Sequence, residues 1–378
     1  MNFIDLFAGI GGIRSGFEAN GFNCIGFCEI DKSASNTYKN IYDTTNEVEW
    51  GDIHKITDET FASYKGKTYA IVGGSPCQAF SISGKRLGFS DKKGEVFFEY
   101  IRALKIIQPD VFVFENVLGL LSHLTDSTLE RVLPMLENDC AFIQNQKEGE
   151  VFYHNLAIYK DQDLGKSELL DNYLKIEKVI KRLKKKKGRG SYLERTFNIV
   201  LQEFSKVGYA IEWDVLQSSD FGVKQHRERL YVIGHLRGRS TRKVFPIPEE
   251  VRNNFRFEQQ KASKLPYTVY PVSSVGYLSK SQNGSRIKIK NASMFTLTAS
   301  GNHGVLQKHP DNTVKMRKLT PRECWRLQGF TDEQFNKAKE VTSDSQLYKQ
   351  AGNSVTVNVI KCIAYQLKNG ELFDNVYA

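Results

Sequence analysis

The stretch Phe3-Ile4-Asp5-Leu6-Phe7-Ala8-Gly9-Ile10-Gly11-Gly12 decides the fold. An apolar strand runs into a glycine-rich turn, and the residues from Ile13 to Asn20 read as the helix that the turn opens. A second strand follows over Asn23-Cys24-Ile25-Gly26-Phe27-Cys28 and ends at Glu29. Glu29 stands 20 residues beyond Gly9, the spacing at which a carboxylate at the end of a second strand meets a ribose hydroxyl. The full dinucleotide fingerprint is missing, because Arg14 stands where the third glycine belongs. Phe7, Gly9 and Gly11 therefore suit a nucleoside cofactor without a pyrophosphate better than a nicotinamide dinucleotide. Asp52-Ile53, after a third strand region, reads equally as a contact to an adenine edge and as a helix cap.

Outward from this unit the βα alternation continues. Tyr69-Ala70-Ile71-Val72 reads as a short buried strand, broken by Gly73-Gly74-Ser75-Pro76 and followed by Cys77-Gln78-Ala79-Phe80-Ser81. A thiol is thus placed beyond the C-terminal end of a strand, where open α/β sheets bind ligands. A lone cysteine is usually a small buried hydrophobe. A Gly-Gly-Ser-Pro turn followed by Gln is a poor place for one, so Cys77 reads as a nucleophile. The polar, glycine-rich run after it, which contains Ser83, reads as a mobile loop. Asp110 to Phe114 reads as a buried strand leading into Glu115, either a carboxylate facing the same crevice or a structural acid paired with an arginine. Residues 125–190 break the pattern and end in a Lys run at 184–187. The pattern resumes with a helix from Tyr192 and a strand from Ala210. In Gln225-His226-Arg227-Glu228-Arg229 the residues Gln225, Arg227 and Arg229 alternate, and so share one face of an extended segment.

The net charge of +10 is concentrated. Residues 241–318 carry fourteen Lys and Arg against four acids, which accounts for the whole excess. That distribution suits a polyanionic partner, nucleic acid. Here the prolines and small polar residues predict short strands and loops. Arg286, Lys288 and Lys290 alternate along a β-ribbon face, and Asn283-Gly284-Ser285 reads as a turn delivering Arg286. From Leu319 the chain is neutral and helical, with Thr320-Pro321-Arg322-Glu323 as an N-cap, first-turn proline and acid. No apolar run is long enough to span a membrane, and the N-terminus carries no basic-then-apolar leader. The six cysteines are dispersed without partners at metal spacing. The expectation is a cytoplasmic protein without metal or disulfides.

Taken together, Asp5-Leu6-Phe7-Ala8-Gly9-Ile10-Gly11-Gly12, Ser75-Pro76-Cys77-Gln78, Glu115-Asn116-Val117, Gln225-His226-Arg227-Glu228-Arg229, Leu319-Thr320-Pro321-Arg322-Glu323 and Gly352-Asn353-Ser354-Val355 resemble the motifs of bacterial C5-cytosine DNA methyltransferases, in the family's order. The resemblance covers nearly the whole chain. It implies an α/β, Rossmann-like S-adenosylmethionine-dependent catalytic domain over 1–240, with 125–190 an atypical insertion. A smaller, mostly β and loop target-recognition domain would follow over 241–318, and 319–378 would return to the catalytic domain. It implies Cys77 as the nucleophile at cytosine C6, Glu115 as the acid at N3 and Arg227 as the donor to O2. The cofactor neighbours would be Phe7, Gly9, Gly11, Glu29, Ile30, Asp52, Ile53, Asn353 and Ser354. DNA contacts would come from Ser83, Arg229, Asn283, Arg286, Lys288 and Thr296. The expected partner is double-stranded DNA, bound by a monomer, with a cognate restriction endonuclease as a functional partner only. Two further readings are an RNA cytosine methyltransferase and a DNA-binding protein without catalysis.

Overall fold

The computed structural model describes residues 1–75, 92–118, 120, 196–256, 268–275 and 286–373. Cys77, Ser83, Asn283 and the whole of the expected insertion lie outside them. Two compact units divide the chain. The first comprises Met1–Ile53, Leu216–Glu228 and Pro246–Gly370, the second His54–Val215, Arg229–Phe245 and Glu371–Ala378. The expected recognition segment thus groups, from Pro246 onward, with the N-terminal strands and the C-terminal helices.

In the first unit β1 (Asn2–Leu6) pairs in parallel with β2 (Asn23–Cys28), and β2 pairs in parallel with β3 (Val48–Trp50). Parallel neighbours need crossover helices. These are α1 (Gly12–Glu18) and α2 (Lys32–Ile41). Asp31 starts α2 as its N-cap, accepting from the amides of Ser33 and Ala34. Phe3, Ile4 and Leu6 are fully buried, as expected of a strand covered on both faces. The helix Val357–Asn369 packs on α1, and Gly16 permits the approach, since a Cβ there would lie 2.5 Å from Ile360. The core joins Phe27, Tyr38 and Tyr42 to Trp325, Phe335 and Leu347 of the C-terminal helices, and to Met294 and Leu297. Full burial of each such side chain contributes about 1.5–3 kcal/mol. The expected cap at Thr320 is a complete capping box with Glu323, and the helix Pro321–Leu327 follows it.

In the second unit β4 (Ala70–Gly73) pairs in parallel with β5 (Val111–Val117), and α4 (Lys92–Ile107) connects them. The short helix α3 (Asp58–Ala62) precedes β4. The sheet continues through β7 (Glu228–Leu236) to β6 (Tyr209–Gln217). β5 and β7 are antiparallel, with Glu115 opposite Tyr231 and Val117 opposite Arg229. Phe97, Tyr100, Phe112, Phe114 and Phe204 form the aromatic core, with Phe112 and Phe204 rings 4.3 Å apart. The Tyr100 hydroxyl reaches the carbonyls of Ile71 and Val113, which ties α4 to both parallel strands. β8 (Thr241–Arg242) pairs with the C-terminal residues Leu372–Phe373. Among the described residues no helix is long and apolar enough to cross a membrane.

Candidate active site

In the first unit the glycine-rich turn has an unusual backbone. Phe7, Gly9 and Gly11 all have left-handed φ, at 57°, 56° and 78°. Glycine takes this conformation without cost, whereas Phe7 holds it against roughly 1–2 kcal/mol of steric strain. Such strain persists only where the surrounding structure over-determines it, and it clusters at ligand sites. The amide of Gly9 donates to Glu29 Oε2 at 2.8 Å, and the Asp31 amide donates to Oε1 at 2.7 Å. Glu29 is thereby held at the mouth of β2 beside the turn. Burial pushes its carboxyl above the ordinary value, and the two amide bonds pull the other way. A Cβ built on Gly9 would meet nothing within 4 Å, so this side of the turn is open. Ile30, next to Glu29, exposes 72 % of its surface.

Other expected cofactor neighbours gather here. A Cβ on Gly12 would fall 2.5 Å from the Ser354 hydroxyl, so Gly12 lets Ser354 close on the turn. Asn353 is exposed at the end of the helix Asp344–Asn353. Asp52 precedes a 3₁₀ turn at Ile53–Lys55, and buried Ile53 anchors that turn. The Glu29 amide donates to the Trp50 carbonyl, which brings the ends of β2 and β3 together. Arg14, in the place of the missing glycine, is 2 % exposed. Its guanidinium grips Glu47 through two bonds of 2.7 Å and stacks 4.4 Å over the Tyr42 ring.

In the second unit the strand carrying the expected thiol ends at Gly73, and Ser75 is the last described residue before Cys77. Glu115 on β5 meets Arg229 on β7, with Nε 3.2 Å from Oε1 and each side chain 15 % exposed. The next residue, Asn116, is buried and holds the Ser75 carbonyl at 3.5 Å. Gly74 lies so close to β5 that a Cβ would be 2.7 Å from the Glu115 carbonyl oxygen and 2.9 Å from Oε2. Gly74 and Ser75, which precede the expected nucleophile, are thus packed on β5 at Glu115 and Asn116.

Two expectations need correction. Arg227 is 3 % exposed, and its guanidinium donates to the carbonyls of Leu297, Gly352 and Ser354 within the first unit. Its two terminal nitrogens are committed to main-chain carbonyls, so the guanidinium expected to hold O2 is engaged within the fold. Arg229, expected among the DNA contacts, is the arginine beside Glu115. Alternation could not separate the two. The register of β5 on β7 does, and it pairs residues more than a hundred positions apart.

The second correction concerns Lys288. Residues 286–291 do run against β9 (Thr268–Val272), with the Ser273 amide donating to the Arg286 carbonyl and the Lys288 amide to Pro271. β10 (Gly304–Lys308) and β11 (Val314–Lys318) complete that small sheet. The Lys288 ammonium, however, turns back to the carbonyls of Ser293 and Met294 and sits 4.6 Å over the Phe295 ring. Burial lowers its pKa. It supports the turn at Asn291, whose φ is 57°, and is not offered to a phosphate. Lys290 is exposed and Arg286 half-buried. The Thr296 hydroxyl donates to the His226 carbonyl at 2.5 Å. Among the described residues no three His, Cys, Asp or Glu side chains are grouped to hold a metal ion.

The strand, glycine turn and terminal carboxylate, with helices on a largely parallel sheet, are the fold of the Rossmann-like methyltransferases. A solved Entamoeba histolytica methyltransferase, EhMeth, shares the fold with a TM-score of 0.55 over 100% of this chain and 99% of that one, at 16% identity. The chain belongs to the C-5 cytosine-specific DNA methylase family, which matches residues 1–139, 172–290 and 264–369. It is a DNA cytosine-5-methyltransferase. Residues 140–171, inside the expected insertion, are outside the match. The type II methyltransferase M.HhaI of Haemophilus parahaemolyticus is 28% identical over 391 residues, covering 97% of this chain and 94% of the relative. The orphan methyltransferase M.SPRI of Bacillus phage SPR is 28% identical over 441 residues, covering 97% of each.

Proposed function

We propose that the protein methylates C5 of a cytosine flipped out of a specific duplex DNA sequence, with Cys77 as nucleophile, Glu115 as acid and Arg229 as carbonyl donor. The observation that carries this reading is the Glu115–Arg229 pair at the ends of two adjacent strands. Aromatic C5 is too weak a nucleophile to take a methyl group unaided. Addition of the Cys77 thiolate to C6 moves the electron pair into the ring and makes C5 nucleophilic. The negative charge that develops falls on N3 and O2. Glu115 stabilises it by protonating N3. Arg229 stabilises it at O2, since a guanidinium has five donors in a rigid fork and can hold a carboxylate and a carbonyl oxygen together. Loss of the C5 proton then lets the Cys77–C6 bond break and frees the enzyme. Stacking shields C6 in a duplex, so the base must leave the helix.

The cofactor reading is S-adenosylmethionine, which would supply an electrophilic methyl group when bound. The chain fits such a nucleoside. Phe7 and Gly9 form an open left-handed turn, Glu29 presents a fixed carboxylate to a ribose, and Ile30 offers an exposed apolar surface beside it. The setting we propose is that of the modification enzyme of a restriction system, acting as a monomer. Tritiated-methyl transfer to duplexes containing 5-fluorocytosine tests the chemistry. A covalent adduct that requires S-adenosylmethionine and is absent in Cys77→Ala supports it. An adduct that persists in Cys77→Ala would refute it.

A further inference from the structure

Arg227 links two stretches of chain that the proposed function gives to different ligands. Its guanidinium donates to Leu297 O at 3.2 Å, to Gly352 O at 3.3 Å and to Ser354 O at 2.6 Å. Leu297 belongs to the recognition segment, and Gly352 and Ser354 flank the cofactor neighbour Asn353. Burying a guanidinium carries a desolvation cost, and its planar fork gives fixed geometry in return. The backbone at Arg227 is held in place, because its amide donates to Gln217 Oε1 at 2.7 Å and its carbonyl accepts from the Ser218 amide.

A second contact joins the same two stretches without any side chain between them. A Cβ on Gly352 would fall 2.3 Å from Thr298 C and 2.5 Å from both Thr298 O and Ala299 N. Three residues on, Gly301, with φ +59°, packs against the Tyr348 ring of the same helix. The Tyr348 hydroxyl donates to the Leu319 carbonyl. The turn Leu297–Gly301 and the helix end Tyr348–Ser354 are therefore one packed body, and Arg227 is its central donor. A ligand that orders one side orders the other. The ligand that binds second then loses less conformational entropy.

We propose that Arg227 is a positioning residue that couples cofactor and DNA, so that each binds more tightly when the other is present. This rests on reading Asn353 and Ser354 as cofactor neighbours and 241–318 as the DNA-reading segment. Coupling of this kind is reciprocal and commonly 5–150-fold. Calorimetry would measure S-adenosylhomocysteine affinity with and without a saturating duplex that carries the motif found by methylome sequencing. We expect the duplex to tighten wild-type binding by about 10-fold, at the lower end of that range. In Arg227→Lys, which keeps the charge and loses the fork, the gain should fall below about 2-fold. Gly352→Ala, which pushes the two stretches apart by another route, should do the same. Hydrogen exchange on the wild-type protein needs no variant. S-adenosylhomocysteine alone should slow exchange at the amides of Thr298–Gly301, and the duplex alone should slow it at Gly352–Ser354. A protein that binds both ligands and methylates DNA, yet shows neither reciprocal protection nor an affinity gain, overturns the coupling. Full coupling retained in Arg227→Lys overturns the role of Arg227. A wild-type protein that binds no S-adenosylhomocysteine overturns instead the cofactor reading beneath it.

Discussion

Gly74→Ala is a small change with a large expected effect. Ordinary contact with a Cβ begins at 3.4 Å, and the added atom would be 2.7 Å from the Glu115 carbonyl oxygen and 2.9 Å from Oε2. One neighbour is main chain in the middle of a paired strand, with Glu115 opposite Tyr231. It cannot rotate away, so the segment after β4 or the carboxylate must move by about 0.5–0.7 Å, the shortfall from ordinary contact. Overpacking of this kind costs about 1–3 kcal/mol of stability. Misplacing a reacting group by about 1 Å costs roughly 10²-fold in rate, equivalent to about 2.7 kcal/mol of barrier. Scaled to 0.5–0.7 Å, the same relation predicts a slowing of about 10- to 25-fold. Single-turnover methyl transfer at saturating cofactor and duplex measures it, with a thermal melt alongside. A Gly74→Ala protein that melts a few degrees lower and transfers methyl at the wild-type rate would show that this packing serves stability alone, and the argument from position would fail.

Glu115→Gln should keep the fold and slow methyl transfer by roughly 10²-fold, the scale of general acid catalysis; a variant that fails to fold would show a structural acid instead. Arg229→Lys should slow transfer more than it weakens DNA binding, because a point charge replaces the fork beside Glu115, and a loss of DNA affinity alone would make Arg229 a DNA contact only. Lys290→Ala should reduce the slope of log affinity against log salt by about 0.9, the value for one phosphate contact, whereas Lys288→Ala should leave the slope unchanged. Arg286→Ala should relax discrimination at one base pair if it reads guanine, worth about 1–3 kcal/mol; uniform weakening across sequences would exclude base reading. Asp31→Ala should lose about 1 kcal/mol of stability with the N-cap of α2. Lys349 and the cap amides hold the Asp31 carboxyl below its ordinary value, so its contribution is present above the unfolded pKa of about 3.9 and is lost as pH falls through the lower folded value. An acid melt of the variant that tracks the wild type through this range would refute that assignment.

Local features of the sequence were enough to predict the glycine-rich turn and the carboxylate fixed beside it. The strand, turn, helix and second strand from Phe3 to Glu29 are contiguous, and each step obeys a short-range rule. The left-handed turn residues and the Gly9–Glu29 bond follow from neighbours within one βαβ segment. The Glu115–Arg229 pair was legible as residue types and not as a pair. Arg227 and Arg229 are two positions apart and chemically identical. One is sealed against carbonyls and the other faces Glu115, because strand register and the packing of the Gly352 turn divide them. Neither determinant leaves a periodic trace in sequence. Gly74 was equally opaque, since a glycine required by close approach to β5 looks in sequence like one required by a turn.

Charge shows the limit most directly. The +10 excess in 241–318 points to a polyanion, but a count weighs every basic residue alike. In the structure Lys243 is 6 % exposed, and burial lowers its pKa. Lys288 is turned onto Ser293 and Met294. Arg317 forms a two-pronged pair with Glu323, which also closes the capping box at Thr320. The Lys318 ammonium lies 4.5 Å over the Tyr348 ring. These four stabilise the fold around the recognition segment. Lys290, Lys308, Lys315 and Lys318 are exposed among the described residues. The charge this segment offers at its surface is therefore smaller than its sequence charge, because guanidinium and ammonium groups serve equally well as internal donors to carbonyls and carboxylates. Which use a given residue has is decided by whether its neighbours leave an acceptor within reach, and that is a property of the folded chain.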